Sequence, residues 1–506
     1  MLRMRAAEKA EVRIRAASQY LGAAAIAMGA VELLPLSCIF FYPDQQSFAP
    51  FFIFPGLGAM VAGYLLLISA KGTKAEPNPR KSSLSMREAA ACTLSVWIFG
   101  ILLYAIPFVL AGLLSPSLAL FEATSGLTTT GLSVVDANSC PAIFLLYRSF
   151  MQYLGGVGLV LVLACVIGHN SNLRVYNLEG HTDRLLPGTA RTARAILILY
   201  TTIISLGTIA YHLAGMTWFD AVNTAMSSVS TGGFCTHSES IGYFNSPVIE
   251  AITVVLMLLG ATNFLLLFLL LKGQMRACLS HIETPMFYGV VTATTLLITF
   301  LLVLGADSGS ETSIPQAFRI ALFQVVSVIT SCGYQTIPSF NYLSPSILFV
   351  LTSLMIVGSY AGSTAGGIKM YRVSIAAKGQ LWSLQERYGN KHRICSRKIN
   401  RFGKRVSCSE QDVADAKTYM VMYVAAFASG AFAFTLCGAS LQQAVFDFAS
   451  CLGNTGVGIG FLSSQSGPVE LMVGCMGMLL GRLEIVPVFM GLCTMLQAGR
   501  NEIHER

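Results

Sequence analysis

The chain has 506 residues, 54% of them hydrophobic and only 11% charged, with a net charge of +8 and a mean hydropathy of +0.64. Soluble proteins carry about 25% charged residues, so a water-soluble globular enzyme is excluded at the outset. The excess of Lys and Arg lies in polar segments between apolar runs, not on an amphipathic stripe, which argues against nucleic acid as a partner.

The N-terminal stretch MLRMRAAEKAEVRIRAAS leads into an apolar run from Gln19 to Phe41. That run is too long for the short apolar core of a signal peptide, and no small-x-small cleavage site follows it. It reads as a retained first span with a cytoplasmic N-terminus. Further apolar segments follow at 50–70, 88–114, 141–168, 194–213, 247–271, 285–306, 345–370, 414–437 and 468–496, so ten spans are predicted.

With the N-terminus inside, the predicted inner loops carry Lys71, Lys74, Arg80, Lys81 and Arg87, then Arg174, Arg184 and Arg191, then Lys272 and Arg276. The segment 371–412 is the most basic, and the predicted outer loops are nearly free of Lys and Arg. This bias fixes the orientation and puts both termini in the cytoplasm. The 13 cysteines show no CxxC and lie mostly in apolar runs, and the seven histidines are scattered, so neither a disulfide frame nor a metal cluster is indicated.

Four outer connections break the pattern. After the third, fifth, seventh and ninth spans come LALFEATSGLTTTGLSV (118–134), WFDAVNTAMSSVSTGGFCTHS (218–238), FRIALFQVVSVITSCGYQTIPS (318–339) and QAVFDFASCLGNTGVGIG (443–460). Each opens with an apolar stretch suited to a half-depth helix and ends in a polar turn around a glycine. These glycines, Gly131, Gly233, Gly333 and Gly456, are spaced by 102, 100 and 123 residues, the last step lengthened by the basic segment. Such a period is an internal repeat.

The expected fold is therefore an all-α polytopic membrane protein. Four span–half-helix–turn–span repeats form a pseudo-fourfold ring about a central pore, preceded by an N-terminal pair of spans. The boundaries read as an N-terminal pair at 1–80 and repeats at 81–170, 171–275, 276–375 and 413–506, with a basic cytoplasmic linker at 376–412. Naked backbone at membrane depth is tolerated only where it is buried in protein or lines a cavity. Four turns at one depth would converge carbonyl oxygens able to replace the hydration shell of a monovalent cation. Glycine supplies the backbone angles for this, and each half-helix directs its partially negative C-terminal end at the axis.

On these residues the chain resembles the TrkH/KtrB/HKT superfamily of potassium transporters, and within it the bacterial TrkH/TrkG uptake subunits. TTTGL (128–132), STGGF (230–234), TSCGY (330–334) and GNTGV (453–457) match its filter segments; GSTAGGIKMYR (362–372) and GRLEI (481–485) match its signatures in the last two repeats. The resemblance implies a filter built from Thr130, Gly131, Thr231, Gly232, Gly233, Cys332, Gly333, Asn454, Thr455 and Gly456, with Cys332 contributing its carbonyl. Glycine in all four repeats, where sodium-selective plant relatives tend to carry serine in the first, favours potassium.

The resemblance also implies an intramembrane gate beneath the filter, formed by Gly362, Ser363, Thr364, Gly366 and Gly367 with Lys369 near its inner end and Arg482 facing it. Close helix packing by small residues, and snorkelling of Lys369 and Arg482 to the headgroups, are the plain alternatives. Glu484 is a possible neighbour of Arg482, although residues two apart do not share a helix face. Glu122 and Asp447, each nine residues before its filter glycine, and Asp220 either draw cations to the outer mouth or stabilise half-helix N-termini.

By the same resemblance the chain is a homodimeric subunit of the bacterial inner membrane carrying K⁺, with no organic cofactor of its own. Its partner is a TrkA-like cytoplasmic regulatory subunit that binds NAD or ATP, and lipid is the other neighbour. Rival readings are a symporter coupled to Na⁺ or H⁺ with broken helices around a midplane site, and a non-transporting scaffold. GLG at 56–58 and GGVG at 155–158 sit in apolar spans without a nucleotide-binding context, and no catalytic constellation is present.

Overall fold

The structure, a computed structural model, describes residues 2–70, 85–158, 189–304, 313–388 and 397–504. Among the described residues, six helices are long and apolar enough to cross a membrane: Arg15–Phe40, Pro43–Ser69, Met86–Leu110, Arg191–Leu213, Glu283–Val303 and Glu410–Leu436. Large apolar side chains such as Phe40, Leu213, Phe349 and Leu436 stand exposed on the outer faces, as expected where the surrounding solvent is lipid.

The first two spans pack through small residues. A Cβ on Gly22 would stand 2.8 Å from Gly63 O, and one on Gly56 would stand 3.0 Å from Gly29 O. Backbone therefore meets backbone, the close approach by which helices associate without a hydrophobic drive between them. The third span is started by a capping box in which Ser85 and Glu88 satisfy each other's backbone N–H groups.

Several of the ten predicted spans are not single helices. Pro247–Gly260 and Phe264–Leu271 meet at 109°, and Pro468–Leu483 and Ile485–Gln497 at 111°. The first break is set by Asn263, whose carboxamide oxygen caps the new helix at the Leu265 N–H (2.8 Å). The second is set by Glu484, a non-glycine residue at φ +64°. The eighth predicted span is helical over Pro345–Val357 and stops there, where Gly358 takes φ +69°. The fourth covers Ala142–Val157, and the rest of its predicted span lies outside the described residues, as do the basic residues placed at 71–81, 174 and 184.

The half-helices are present in all four repeats: Pro116–Leu127, Trp218–Val229, Ile314–Ile329 and Leu441–Gly453. The basic segment 376–412 contains the end of a helix (Met370–Tyr388) and an antiparallel hairpin of Lys398–Arg401 with Lys404–Ser407. This hairpin rests on the loop before the Glu283–Val303 helix: Ile282 N–H donates to Asn400 O (3.0 Å), and the His281 ring packs on Phe402 at 4.8 Å. Ile282, Ile375, Ile399, Cys408 and Ala416 form a small apolar core beneath it.

His281 is buried there, and its Nδ1 accepts the Glu283 N–H, which is the arrangement of a neutral ring. Burial, with the Arg401 guanidinium nearby, lowers its pKa from 6.5 to about 4. Between those values the unfolded chain binds a proton that the folded one refuses. Its contribution is therefore full above pH 6.5 and is lost as pH falls toward about 4. His281→Asn should flatten the acid side of the thermal-stability profile in this window; an unchanged slope would show that the ring is not held neutral.

Candidate functional site

Each half-helix is launched by a short polar or proline-bearing start. Thr217 caps the second through the Asp220 N–H, Ser440 and Gln443 form a capping box on the fourth, and proline opens the first and third. Each then ends in the same backbone turn. Two residues before the glycine of each turn, Gly131, Gly233, Gly333 or Gly456, the chain enters the left-handed region, at Thr129 (φ +54°), Thr231 (+51°), Ser331 (+55°) and Asn454 (+49°). It does so again at Gly131 (+92°), Gly233 (+79°), Gly333 (+82°) and Gly456 (+86°).

A left-handed non-glycine residue costs roughly 1–2 kcal/mol, so something must hold it. In all four repeats a serine stands six residues before the glycine: Ser125, Ser227, Ser327 and Ser450. Its carbonyl accepts the N–H of the residue before the glycine, from Thr130, Gly232, Cys332 and Thr455, at 2.9 Å each time. The hydroxyls brace the turn further. Those of Ser125 and Ser450 accept the N–H of Gly131 (3.1 Å) and Gly456 (3.0 Å); that of Ser327 donates to Tyr334 O (2.6 Å). The Ser227 hydroxyl donates to Gln152 Oε1 (2.7 Å), whose amide in turn donates to Gly232 O (2.6 Å).

The four turns close on one another. A Cβ on Gly131 would strike the carbonyl oxygen of Gly232, and one on Gly233 that of Cys332. One on Gly333 would strike that of Thr455, and one on Gly456 that of Thr130. The contact runs from repeat one through four and back to one. All ten residues singled out from the sequence lie in this ring, with the carbonyls of Thr130, Gly232, Cys332 and Thr455 at its joints.

The polar side chains mostly tie the ring together. Asn454 Nδ2 donates to Thr130 Oγ1 and to Met478 O (2.9 Å each), linking the first and last repeats. Asn454 Oδ1 and Thr455 Oγ1 are buried with no hydrogen-bond partner.

Each of the three acids has hydrogen-bond partners within its own repeat. Glu122 accepts from Val134 N–H (2.9 Å) and Ser133 Oγ (3.0 Å) and lies 2.8 Å from Arg148 Nε. Asp447 accepts from the N–H groups of Ile459 (2.8 Å) and Phe461 (2.9 Å). Both are buried and hold the extended segment leaving the turn. Asp220 accepts from Thr217 Oγ1 (2.7 Å) and Thr236 Oγ1 (2.6 Å), so it ties its own helix start to the segment beyond the turn.

Beneath the ring runs the segment 358–369, with left-handed backbone at Gly358, Gly362, Gly367 and Lys369. It touches three turns. Thr364 Oγ1 lies 2.9 Å from Thr231 Oγ1, Gly366 N–H donates to Ser331 Oγ (3.2 Å), and a Cβ on Gly366 would strike Gly453 O. Ser363 caps its own bend through Tyr360 O (2.7 Å), and Lys369 folds back to donate to Ala365 O. Arg482 supplies the link to the first repeat, donating to Thr364 O (2.8 Å) and to the carbonyls of Gly155 and Gly156. Glu484 does not pair with it; it takes Arg372 instead (2.7 Å). On its other side the segment borders a cavity of about 530 Å³ lined in part by Lys369, Arg372, Arg482 and Glu484.

Some of this escaped the sequence reading. Thr129 and Ser331 hold the same left-handed position as Thr231 and Asn454, but three residue types shared among four positions carry no common signal. The serine six places upstream does recur in register and was the available clue. Gly155, in a motif dismissed as a nucleotide site, packs against Leu127 O just as Gly260 packs on Val229 O and Gly481 on Leu452 O.

Comparison with known proteins points the same way. The model of the TrkH family, described as a cation transport protein, matches residues 58–502. The Trk system potassium uptake protein TrkH of Vibrio parahaemolyticus is 31% identical over 426 residues, covering 81% of this chain and 86% of that one. TrkG of Escherichia coli is 28% identical over 475 residues, covering 90% and 93%. An uncharacterized cation transporter of Methanocaldococcus jannaschii is 26% identical over 472 residues, covering 92% and 93%. The crystal structure of the potassium transporter TrkH from Vibrio parahaemolyticus superposes with a TM-score of 0.79 at 27% identity, covering 95% of this chain and 98% of that one.

The ring makes a stability prediction that needs no transport assay. Gly112 and Gly333 both have positive φ (+69° and +82°), but a Cβ on Gly112 meets nothing within 4 Å, whereas one on Gly333 meets Thr455 O. Gly112→Ala should cost roughly the 1–2 kcal/mol of left-handed backbone. Gly333→Ala should lower the thermal midpoint of the purified chain further; equal shifts would sink the close-contact account.

Proposed function

We propose that this chain, which belongs to the TrkH family of cation transport proteins, is a potassium-uptake subunit whose ion passes through the ring of four glycine turns. The supporting observation is the closed cycle of carbonyls from Thr130, Gly232, Cys332 and Thr455 against Gly456, Gly131, Gly233 and Gly333. Carbonyl oxygens on four sides replace the water that a monovalent cation sheds. The half-helix C-termini add negative potential at the same place. Glycine at every joint lets the loops approach until their oxygens form one wall.

In this reading the segment 358–369 is the gate. It lies across the turns of repeats two, three and four, and the positive charge of Arg482 beside Thr364 adds an electrostatic barrier to a cation. Opening requires the loop to leave these contacts, and Gly362, Gly366 and Gly367 give it the backbone freedom to do so.

The wider assignment follows the family. The chain works as a homodimer in the bacterial inner membrane with both termini cytoplasmic, bounded into repeats as the sequence reading set out. A TrkA-like subunit on the cytoplasmic face binds NAD or ATP and controls the gate. The relatives' names as potassium uptake proteins favour K⁺ as the carried ion. Passive flux is the simpler reading, because a ring of carbonyls needs no second ion; coupling to Na⁺ or H⁺ is the alternative.

Radioactive rubidium uptake tests this in cells lacking their own potassium systems. The wild-type chain, supplied with its regulatory partner, should take up rubidium in competition with K⁺ but not Na⁺. Gly233→Asp should reduce uptake by about tenfold or more, about 1.4 kcal/mol on the permeation barrier, at equal membrane expression. Arg482→Ala should raise it. Uptake indifferent to the aspartate would remove the ring from the ion path.

A further inference from the structure

The peptide unit of Ala361, in the loop beneath the ring, is clamped on both sides. Its carbonyl accepts from Asn263 Nδ2 (2.6 Å), at the break in the second repeat's inner helix. Its N–H donates to Glu283 Oε1 (2.8 Å). Glu283 is buried at the first turn of the Glu283–Val303 helix, where the helix N-terminus favours a negative charge. A charge-assisted hydrogen bond to a buried carboxylate is among the stronger tethers available to a peptide N–H.

What distinguishes this tether is where it leads. The loop's bonds to Thr231, Gly260, Ala261, Asn263 and Ser331 all end on membrane-embedded turns. Glu283 instead follows directly on His281 and Ile282, the residues on which the cytoplasmic hairpin sits. Asn400 accepts the Ile282 N–H, Phe402 packs on His281, and a Cβ on Gly403 would lie 3.0 Å from the Ala277 Cβ. The second strand of the hairpin, Lys404–Ser407, is exposed along its whole length. The hairpin thus offers its outer strand to the cytoplasm while its base fixes the residues that aim the carboxylate.

We propose that Glu283 is a positioning residue through which the hairpin Lys398–Ser407 sets the loop. With the hairpin seated, the carboxylate holds the Ala361 N–H and the loop stays beneath the ring. With the hairpin displaced, residues 281–283 shift and the loop is released. This rests on the reading of the loop as the gate and adds to it the route by which a cytoplasmic event arrives.

Hydrogen exchange on the full chain in nanodiscs reads the tether directly, whether or not the chain conducts. Glu283→Ala should speed exchange in the peptide spanning 358–369 by about tenfold or more, since local opening sets the rate. Glu283→Gln, which keeps an acceptor oxygen, should rescue most of it. Replacing 398–407 with a Gly/Ser stretch of equal length should also speed exchange in the loop, and adding Glu283→Ala to that replacement should give little further increase. Loop exchange unchanged by the hairpin replacement, or independent effects of the two changes, would overturn the relay. Rubidium flux into proteoliposomes should rise in the same variants. An exchange response with no flux in any variant would count against the potassium-pore reading and leave the relay intact.

Discussion

Everything at the centre of this molecule depends on backbone carbonyls that have left their helices at membrane depth. The last carbonyls of any helix lack intrahelical partners, and here four half-helices end inside the membrane rather than at its surface. Water serves such groups in a soluble protein, but lipid cannot. The chain solves this by bringing backbone against backbone. Gly155, Gly260 and Gly481 let an inner helix touch Leu127, Val229 and Leu452, each four residues before the glycine of its turn. The turn glycines do the same for the carbonyls at the joints. Absent side chains are thus the structural feature, and no turn in the ring can be displaced without opening its neighbours.

This explains what the sequence could and could not disclose. The repeat, the half-helices and the four glycines were legible, because a glycine demanded by both positive φ and close approach leaves few substitutes. Thr129 and Ser331 were not, because their left-handed backbone is enforced by the bond to the serine carbonyl, which any residue type can exploit. Glu122 and Asp447 were open in the sequence to a cation-attracting or a helix-start role; each carboxylate also accepts from downstream backbone N–H groups, a task invisible without knowing where the chain returns. The breaks at 261–263 and at Glu484 were hidden inside apolar runs. Hydropathy measures what a segment faces, not its direction.

The third repeat departs from the other three, and the departure breaks the fourfold symmetry. Its inner helix ends at Val357, and the chain then crosses under the ring before resuming a helix at Met370. The repeat whose inner-helix glycine, Gly358, meets Gly366 O rather than its own half-helix is the one whose chain lies across the turns of the others. Arg482 carries the same element to the first repeat through Gly155 and Gly156. One repeat thus gives up the end of its inner helix while the four turns keep the same backbone geometry.

The two layers are also held by different kinds of force, and this sets which can move. The ring is fixed by steric contact between main chains, where a small displacement meets repulsion or exposes carbonyls to an apolar surround. The segment beneath it is held by separate hydrogen bonds, from Thr364, Gly366, Ala361 and Arg482, each worth about 0.5–1.5 kcal/mol net between neutral groups and more where a charge takes part. Individual bonds of this size can be exchanged for bonds to water once a hydrated path opens, so the cost of moving the loop falls as it moves. The ring gains nothing comparable from opening. A stiff layer of main-chain contacts and a softer hydrogen-bonded layer therefore follow from the same glycines, used above for contact and below for positive φ.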